Sequence, residues 1–289
     1  MIKKGIILAG GHGSRMSPLT KAVNKQLLPL YDKPLIFYPL SILMLAGIKN
    51  ILIIVNKGQL NQFRKIIPEK NNLGIRIEYK EQLRPAGLPQ AFTIGEKFIG
   101  KDNVCMILGD NFFYGQSLTK ILKKNLVFQS GAKVFLHPVK NPQNYGVAFL
   151  NSKNKVIKLI EKPKKTKSNL AVTGLYFFDN KVVDLSKKLK PSKRGELEII
   201  DLLNLYKSKK RLKAELIGRG GAWLDTGNVK DYYDATNFIS TIESRQGLKI
   251  ACLEEIAFNN GWIKKNDIQE SIKFYGNCNY SKYLKSIIN

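Results

Sequence analysis

The first fifteen residues most constrain how this chain can fold. Residues 6–9 form a short, unbroken apolar run, and Gly10, Gly11 and Gly13 follow it directly. An apolar run of this length ahead of glycines is typical of a strand that is buried on both faces in a parallel α/β sheet. Glycines let the backbone turn tightly and bring its N–H groups close to an anion. The segment therefore predicts a strand followed by a phosphate-binding loop.

Two cations accompany this loop. Arg15 carries a planar, permanently charged group that suits phosphate, and Lys25 follows ten residues later. A Rossmann fingerprint would need a third glycine where Met16 stands, and the Gly-Lys-Ser/Thr ending of a Walker A loop is absent here. A tight strand–helix turn without a ligand is the alternative. The two cations favour a loop that binds a nucleoside triphosphate.

Apolar runs alternate with helical patterns through the first half of the chain. Strands are predicted at 51–55, 75–79 and 104–108, and helices at 35–46, 60–67, 89–98 and 118–128. This alternation is typical of a mostly parallel sheet with right-handed crossovers. Ligands of such sheets bind beyond the carboxyl ends of the strands, where the glycine loop would lie.

The pattern changes after residue 131. Strand-like segments then follow one another closely, at 134–138, 146–150, 156–160 and 171–178. A helix is predicted at 198–206, and the pattern is helical from residue 229 to the end. With no internal repeat or linker, the sequence predicts one α/β core with a helical C-terminal extension.

The chain is strongly basic, with 48 Lys and Arg against 22 Asp and Glu and a formal charge of +26. Such a charge can indicate nucleic-acid binding. The lysines are spread over almost the whole chain, however, and neither an RNP motif nor a compact basic block is present. A codon bias that favours Lys, Asn and Ile explains the excess equally well. We therefore expect no nucleic-acid partner.

Other compositional features bear on location. No apolar run approaches the roughly 20 residues that a membrane span requires. The N-terminus leads directly into the first strand without the layout of a signal peptide. The three cysteines are widely separated, which fits a reducing compartment. We expect a cytoplasmic protein without a membrane partner.

Two acidic residues are candidates for a metal site. Asp110 directly follows the predicted strand 104–108, and Asp225 lies in the motif AWLDTG. Either residue alone could belong to an ordinary turn or, for Asp225, a helix N-cap. Mg²⁺ binds one or two protein carboxylates and completes its shell with water and phosphate oxygens. With only two histidines in the chain, a histidine metal cage is excluded, and the two acids together predict a magnesium site.

Further polar residues follow predicted strands. Lys162, after the strand 156–160, offers a charge to a second phosphate, and Arg194 precedes a predicted helix. Gln82 and Gly87 mark a predicted loop between a strand and a helix. A glutamine amide can match the donor and acceptor edge of a pyrimidine. Uracil and thymine share that edge, so UTP and dTTP both remain open on this residue alone.

A series of segments in order resembles the sugar-phosphate nucleotidyltransferases, and among them the glucose-1-phosphate thymidylyltransferases (dTDP-glucose pyrophosphorylases). The segments are KGIILAGGHGSRM, KQLLPLYDKP, LSILMLAGI, LGDN, NYGVAF, EKP, AVTGLYF, RGELEIID, AWLDTG and RQGLKIACLEEIAF. Relatives that use UTP or CTP share the glycine loop and EKP but usually lack KQLLP and the last segment. The resemblance spans essentially the whole chain and favours the dTTP branch.

The resemblance implies a fold and an activity. The fold is a Rossmann-like mixed, mainly parallel sheet flanked by helices. A core over residues 1–228 includes a small sugar-binding β part. Residues 229–289 form a helical extension of the same domain, with an oligomer or regulatory surface, and the assembly is a homotetramer. The activity is Mg²⁺-dependent transfer of a thymidylyl group from dTTP to glucose 1-phosphate, giving dTDP-glucose and pyrophosphate, the first step of dTDP-rhamnose and deoxysugar synthesis.

The resemblance also assigns residue roles. The residues implied in catalysis are Arg15, Lys25, Asp110, Lys162 and Asp225, with Asp110 and Asp225 as the Mg²⁺ ligands. The nucleotide contacts are Leu8, Gly10, Gly11, Gly13, Arg15, Lys25, Gln26, Gln82, Gly87 and Asp110. The sugar-phosphate contacts are Asn111, Tyr145, Gly146, Glu161, Lys162, Val172, Thr173 and Arg194.

Two alternatives stay open at this point. One is the same chemistry with UTP or another nucleotide. The other is a non-catalytic, basic nucleotide- or RNA-binding protein on the same fold. A chain that had lost catalysis would be expected to have lost at least one of the five residues implied in catalysis, and all five are present.

Overall fold

The computed structural model describes residues 1–289, and its centre is one large mixed sheet. The strands are β1 (Lys4–Ala9), β2 (Pro29–Leu30), β3 (Lys33–Pro34), β4 (Asn50–Asn56), β5 (Arg76–Gln82), β6 (Val104–Leu108), β7 (Asn111–Gly115), β8 (Ala132–Pro138), β9 (Gly146–Leu150), β10 (Val156–Glu161), β11 (Leu170–Phe178), β12 (Leu212–Leu216) and β13 (Gly221–Asp225). The helices are α1 (Phe37–Ala46), α2 (Leu60–Ile66), α3 (Gln90–Ile94), α4 (Glu96–Ile99), α5 (Leu118–Leu126), α6 (Val182–Lys187), α7 (Ile199–Ser208), α8 (Val229–Gln246), α9 (Leu253–Asn259), α10 (Lys265–Tyr275) and α11 (Asn279–Ile288).

The central sheet has nine strands and is parallel in its first half. Its main path runs β10-β9-β11-β6-β1-β4-β5, and β8 joins it beside β11 with β12 on its far side. Strands β6, β1, β4 and β5 are parallel to one another, as the alternation of strands and helices predicts. Strand β11 is antiparallel to β6, β8 and β9, so the closely spaced strands of the second half extend the same sheet. The predicted α/β fold class is confirmed.

Strand β1 lies between β4 and β6, and both of its faces are buried because apolar clusters cover the two sides of the sheet. Ile7 and Ala9 point into a large apolar cluster on one face, and Ile6 and Leu8 point into a second cluster on the other. A strand in this position needs apolar side chains at every residue, which explains its unbroken apolar run. Helices α1, α2, α5 and α9 contribute to the first cluster, and α3, α6 and α7 to the second.

The sequence analysis missed a two-stranded ribbon that lies outside the central sheet. Strands β7 and β13 pair antiparallel, with Asp225 opposite Asn111. The alternative in which Asp225 belongs to a turn or a helix N-cap does not hold, since Asp225 is the last residue of β13. Both strands are five residues long, and their pairing joins segments about one hundred residues apart, which periodicity cannot detect.

Smaller differences concern the helices. The predicted helix at 89–98 is two short helices that Gly95 separates. Helix α6 and strand β12 were not predicted. The helical pattern from residue 229 is confirmed as α8 to α11. No helix in the chain is both long enough and apolar enough to cross a membrane.

A cluster of four charged residues connects helix α8 and the residues that follow it to the β2–β3 hairpin. The Lys33 ammonium, which is 2% exposed, lies 3.0 Å from the Glu243 carboxylate and also pairs with Asp32. Lys249 pairs with both acids, at 3.1 Å from Glu243. The backbone N–H of Ile250 donates to Glu243 as well. Glu243 therefore neutralises the charges of Lys33 on the hairpin and of Lys249, which follows α8. The division of the chain at residue 228 stays a prediction.

Replacing Glu243 with alanine should destabilise the whole fold. The substitution leaves the buried Lys33 ammonium with Asp32 alone, and breaking a buried ion pair by removing one partner costs about 3 kcal/mol. We expect the free energy of unfolding, measured by urea denaturation, to fall by about that amount. Glu270→Ala is the control, because its pair with Lys273 is exposed and should contribute less than about 1 kcal/mol. Equal effects of the two variants would contradict the role of the buried cluster.

Candidate active site

A cavity of about 380 Å³ opens at the carboxyl edge of the sheet, beyond the ends of β1, β5 and β6. Its position is the one that parallel α/β topology favours for a ligand. The residues predicted for the site that line this cavity are Leu8, Gly10, Gly11, Arg15, Gln26, Gln82, Gly87, Asp110, Asn111, Tyr145, Gly146, Glu161, Lys162, Val172, Arg194 and Asp225. The fold thus gathers most of the predicted residues around one space.

Three predicted residues do not line the cavity. Gly13 supports the loop instead, because its φ is +59° and the hydroxyl of Thr20 donates to its carbonyl oxygen at 2.8 Å. Thr173 is fully buried, and its hydroxyl donates to the carbonyl oxygen of Phe135 at 3.0 Å. Lys25 is 7% exposed and reaches the cavity only through the carboxylate of Asp110.

The glycine loop is held by the side chain at the end of β4. The N–H of Gly11 donates to Asn56 Oδ1 at 2.8 Å, and Asn56 Nδ2 donates to the carbonyl oxygen of Gly11 at 2.8 Å. Gly11 has a φ of +103°, which favours glycine. Its N–H is therefore committed to the protein, and the loop approaches the cavity with a fixed shape.

The two predicted acids meet at the end of the β7–β13 ribbon. Thr226, which follows Asp225, donates to the carbonyl oxygen of Asp110 from both its backbone N–H (3.1 Å) and its hydroxyl (2.9 Å). Lys25 Nζ lies 2.7 Å from Asp110 Oδ2, and Asn111 Nδ2 donates to Asp110 Oδ1 at 3.0 Å. Both oxygens of the Asp110 carboxylate are thus paired.

The pKa values of the Asp110 and Asp225 carboxyls are shifted in opposite directions. Burial opposes ionisation of Asp110, but the neighbouring Lys25 ammonium outweighs it and holds the pKa below its ordinary value. Burial, followed by the negative charge of Asp110, raises the pKa of Asp225 to about 7. The Arg15 guanidinium lies beside Gly227 and Asp225, where it partly offsets this repulsion.

These residues fit a divalent cation. Two half-buried carboxyls that repel each other would both ionise beside a divalent cation, and oxygen ligands suit Mg²⁺. No group of three or more His, Cys, Asp or Glu side chains is arranged to hold a metal. A metal at Asp110 and Asp225 would therefore complete its shell with water and substrate oxygens.

The opposite wall of the cavity carries a second charged cluster. The Arg194 guanidinium forms two hydrogen bonds to the buried Glu198 carboxylate, at 2.7 and 3.1 Å, and lies 3.4 Å from Glu161. Ser192 donates to the same carboxylate at 2.6 Å. Burial, followed by the charge of Glu198, raises the pKa of Glu161. Lys162 is exposed at the cavity wall with a φ of +40°.

Two aromatic residues form the floor between the clusters. Trp223 Nε1 donates to Asn111 Oδ1 at 2.6 Å, and the N–H of Gly174 donates to the same oxygen at 3.0 Å. The rings of Trp223 and Tyr145 are 5.1 Å apart and packed edge to face. The sequence analysis did not select Trp223, although its spacing of two residues from Asp225 would have placed both on one face of a strand.

The segment 82–87 forms the remaining wall. Gln82 is 3% exposed and is the last residue of β5, so the strand predicted at 75–79 ends three residues later and Gln82 belongs to it. The N–H of Leu197 donates to the carbonyl oxygen of Ala86 at 2.8 Å, which joins this segment to the one that carries Arg194. A Cβ on Gly87 would lie 2.1 Å from the carbonyl oxygen of Leu197, so this contact requires glycine.

A glycine loop, two acids and two sets of cations around one cavity on a mixed α/β sheet are the features of a nucleotidyltransferase. The nucleotidyl transferase family model matches residues 4–242, and the chain belongs to this family. Within it, the chain is a member of the glucose-1-phosphate thymidylyltransferases. It is 49% identical over 285 residues to the one from Neisseria meningitidis and 44% identical over 286 residues to the one from Mycolicibacterium smegmatis, covering 99% of both chains in each case.

Solved structures agree with this assignment. A Bacillus anthracis structure, described as a glucose-1-phosphate thymidylyltransferase in complex with sucrose, superposes with a TM-score of 0.75. It is 38% identical, and the match covers 81% of this chain and 94% of that one. A UDP-glucose pyrophosphorylase complexed with UDP-glucose gives a TM-score of 0.73 at 27% identity, covering 84% and 100%. These relatives favour an enzyme over the non-catalytic alternative, and the family generally uses a divalent metal.

Removing the Asp225 carboxyl should stabilise the metal-free protein at neutral and higher pH. A carboxyl with a raised folded-state pKa keeps its proton after the unfolded one has lost it, so stability falls as pH rises from about 4 to about 7. We expect Asp225→Asn to raise the free energy of unfolding at about pH 8 by about 2 kcal/mol. Urea denaturation in a chelator measures this.

Most of the gain should disappear at about pH 4, where the folded carboxyl is protonated and the unfolded one is about half protonated. Asp184→Asn is the control, because Asp184 is exposed and outside the cavity. A gain that is the same at every pH, or none at about pH 8, would contradict the assigned repulsion.

Proposed function

We propose that this chain transfers the thymidylyl group of dTTP to glucose 1-phosphate, giving dTDP-glucose and pyrophosphate. The observation that carries the proposal is the cluster in which Lys25 and Arg15 flank the Asp110 and Asp225 carboxyls below the glycine loop. Lys162 and Arg194 lie on the other side of the same cavity. A site with cations at both ends suits a reaction that joins two phosphate-bearing substrates.

The reaction needs no general base from the protein. The second pKa of a phosphate monoester is about 6, so the attacking sugar phosphate is ionised at neutral pH. Its oxygen attacks the α-phosphorus of dTTP in line, the bond to the β-phosphate oxygen breaks, and pyrophosphate leaves. Catalysis then rests on positioning and on stabilisation of negative charge. The scarcity of histidine in the chain is compatible with this chemistry.

On the nucleotide side, we assign the phosphates and the leaving pyrophosphate to Arg15 and Lys25. Lys25 is held by its ion pair with Asp110, so its ammonium has a fixed place. The backbone of Gly10 and Gly11 and the neighbouring Leu8 and Gln26 would contact the nucleotide. Mg²⁺ held by Asp110 and Asp225 would neutralise charge on the phosphate oxygens.

On the sugar side, we assign the sugar phosphate to Lys162 and Arg194. The hydroxyl groups of glucose would meet Glu161, Tyr145 and the backbone of Gly146. Val172 adds apolar surface to the cavity beside these polar groups. A sugar ring can use both, because it presents hydroxyl groups and apolar C–H faces. Trp223 packs against Tyr145 and would fix the ring of that tyrosine.

The choice of dTTP rests on the relatives, and the glutamine at the base side of the cavity is compatible with a pyrimidine that carries N3–H. The chain is 49% identical to the glucose-1-phosphate thymidylyltransferase of Neisseria meningitidis but only 27% identical to the UDP-glucose pyrophosphorylase whose structure was compared. A uracil nucleotide presents the same edge to Gln82, so UTP is the competing substrate. From the resemblance we also propose a cytoplasmic homotetramer that has no nucleic-acid partner.

The test is pyrophosphate release from dTTP, UTP, CTP and GTP, each with glucose 1-phosphate and Mg²⁺. We expect release to be fastest with dTTP and to stop when a chelator removes the metal. Asp110→Asn should lower kcat by at least about 100-fold, because it removes a metal ligand and the partner of Lys25. Asp184→Asn should change nothing. Absence of release from folded wild-type protein with every nucleotide would overturn the proposal, and a UTP preference would overturn its choice of nucleotide.

Glu198 should affect the sugar phosphate and not the nucleotide. It holds the Arg194 guanidinium at the cavity through two hydrogen bonds to its two carboxylate oxygens. Glu198→Gln keeps only one acceptor oxygen and removes the negative charge, so one of these bonds is lost. We expect the KM for glucose 1-phosphate to rise about tenfold, while the KM for dTTP changes less than about twofold. Glu196→Gln is the matched control, since Glu196 lines the cavity outside this cluster. Equal rises in both KM values would contradict the assignment.

A further inference from the structure

A short chain of hydrogen bonds lies behind the base side of the cavity. The backbone N–H of Ala86 donates to Gln90 Oε1 at 3.0 Å. Gln82 Nε2 donates to the same oxygen at 2.7 Å. Gln82 lines the cavity, whereas Gln90 stands behind it as the first residue of α3.

This chain fixes the orientation of both side-chain amides. A backbone N–H can only donate, so the atom of Gln90 that faces Ala86 must be its oxygen. That oxygen can only accept, so the atom of Gln82 that faces it must be Nε2. The Oε1 atom of Gln82 must then point away from Gln90. It lies against Gly10, where an added Cβ would come within 2.2 Å of it.

The orientation of Gln82 matters because pyrimidines differ at N3. Thymine and uracil carry an N3–H donor between two carbonyl oxygens, whereas cytosine carries an N3 acceptor next to an amino group. A fixed acceptor at Gln82 Oε1 can pair with the N3–H of the first two bases. The same acceptor would face the N3 lone pair of cytosine and reject it.

We infer that Gln90 is a positioning residue that sets base specificity by locking the Gln82 amide in the orientation that accepts from N3–H. This inference rests on the proposed function in one respect, since it assumes that a pyrimidine nucleotide binds in this cavity. A free glutamine amide can rotate and present Nε2 to N3 and Oε1 to the amino group of cytosine. Without the lock, therefore, one glutamine could bind either kind of base.

The lock is tested by equilibrium binding of dTTP and of CTP to the full chain, in Mg²⁺, by isothermal titration calorimetry. Gln90→Met has a similar size but lacks the acceptor, whereas Gln90→Glu keeps an acceptor for both Ala86 and Gln82. Gln62→Met is the control for the substitution itself, because Gln62 is exposed on α2, outside the cavity. Thermal melting checks that each variant is folded.

We expect wild-type protein, Gln90→Glu and Gln62→Met to prefer dTTP over CTP. In Gln90→Met the ratio of the two dissociation constants should shift towards CTP by about tenfold, the effect of one correctly oriented hydrogen bond. An unchanged ratio in folded Gln90→Met would overturn the inference. If Gln90→Met weakened the binding of dTTP and CTP equally, the role of Gln90 would be merely structural and the inference would be overturned. It would also be overturned if wild-type protein bound CTP as tightly as dTTP.

This measurement is separable from the proposed reaction. Binding selectivity for an N3–H pyrimidine with no pyrophosphate release would overturn the proposed function and leave the role of Gln90 standing. Turnover of dTTP by wild-type protein, together with an unchanged ratio of dissociation constants in Gln90→Met, would support the proposed function and overturn the role of Gln90.

Discussion

Two half-buried carboxyls that repel each other are the constraint on which the rest of this site depends. Asp110 and Asp225 come from segments far apart in the chain and share one edge of the sheet. Each would lose hydration on burial, and each raises the cost of ionising the other. Lys25 offsets that cost for Asp110, but Asp225 keeps a pKa of about 7. The fold therefore holds a site that a divalent cation would stabilise.

Such a pair must be held by a rigid frame, because the two groups would otherwise move apart. The frame consists of the β7–β13 ribbon and the two hydrogen bonds from Thr226 to the carbonyl oxygen of Asp110. Asn111 Oδ1 accepts from Trp223 within the ribbon at 2.6 Å and from the N–H of Gly174 in β11 at 3.0 Å, which connects the ribbon to the central sheet. The stability of the large apolar cores below compensates for the repulsion at this edge, as is common for functional sites.

Sequence reasoning predicted the parts of the site that follow apolar strands of the parallel sheet. The strand before the glycine loop and the one before Asp110 are continuous apolar runs, so their ends could be located and placed at one edge. Asp225 was selected as a metal ligand, but its strand could not be predicted. Only the pairing of β13 with β7 makes that segment extended, and such pairing depends on tertiary contacts.

The supporting residues were missed for a different reason. Glu198 lies in the segment RGELEIID but was not selected, because it contacts Arg194, and Gln90 contacts Gln82 in the same indirect way. Their roles depend on hydrogen-bond geometry between a loop and a helix, which spacing in the sequence does not specify. Thr173, which the family resemblance assigned to the sugar, has its side chain enclosed in the sheet, so its contact with the sugar stays a prediction.

The two halves of the cavity also share a backbone contact, which makes their geometry interdependent. Ala86 uses its N–H to orient Gln90 and its carbonyl oxygen to accept from the N–H of Leu197. Leu197 immediately precedes Glu198, which holds Arg194. A shift of the base-side segment would therefore move the support of the arginine on the sugar side. The glycine at position 87 permits this contact, because any Cβ there would collide with Leu197. Gly87 thus matters for joining the two substrate sites, as well as for the loop that the sequence predicts.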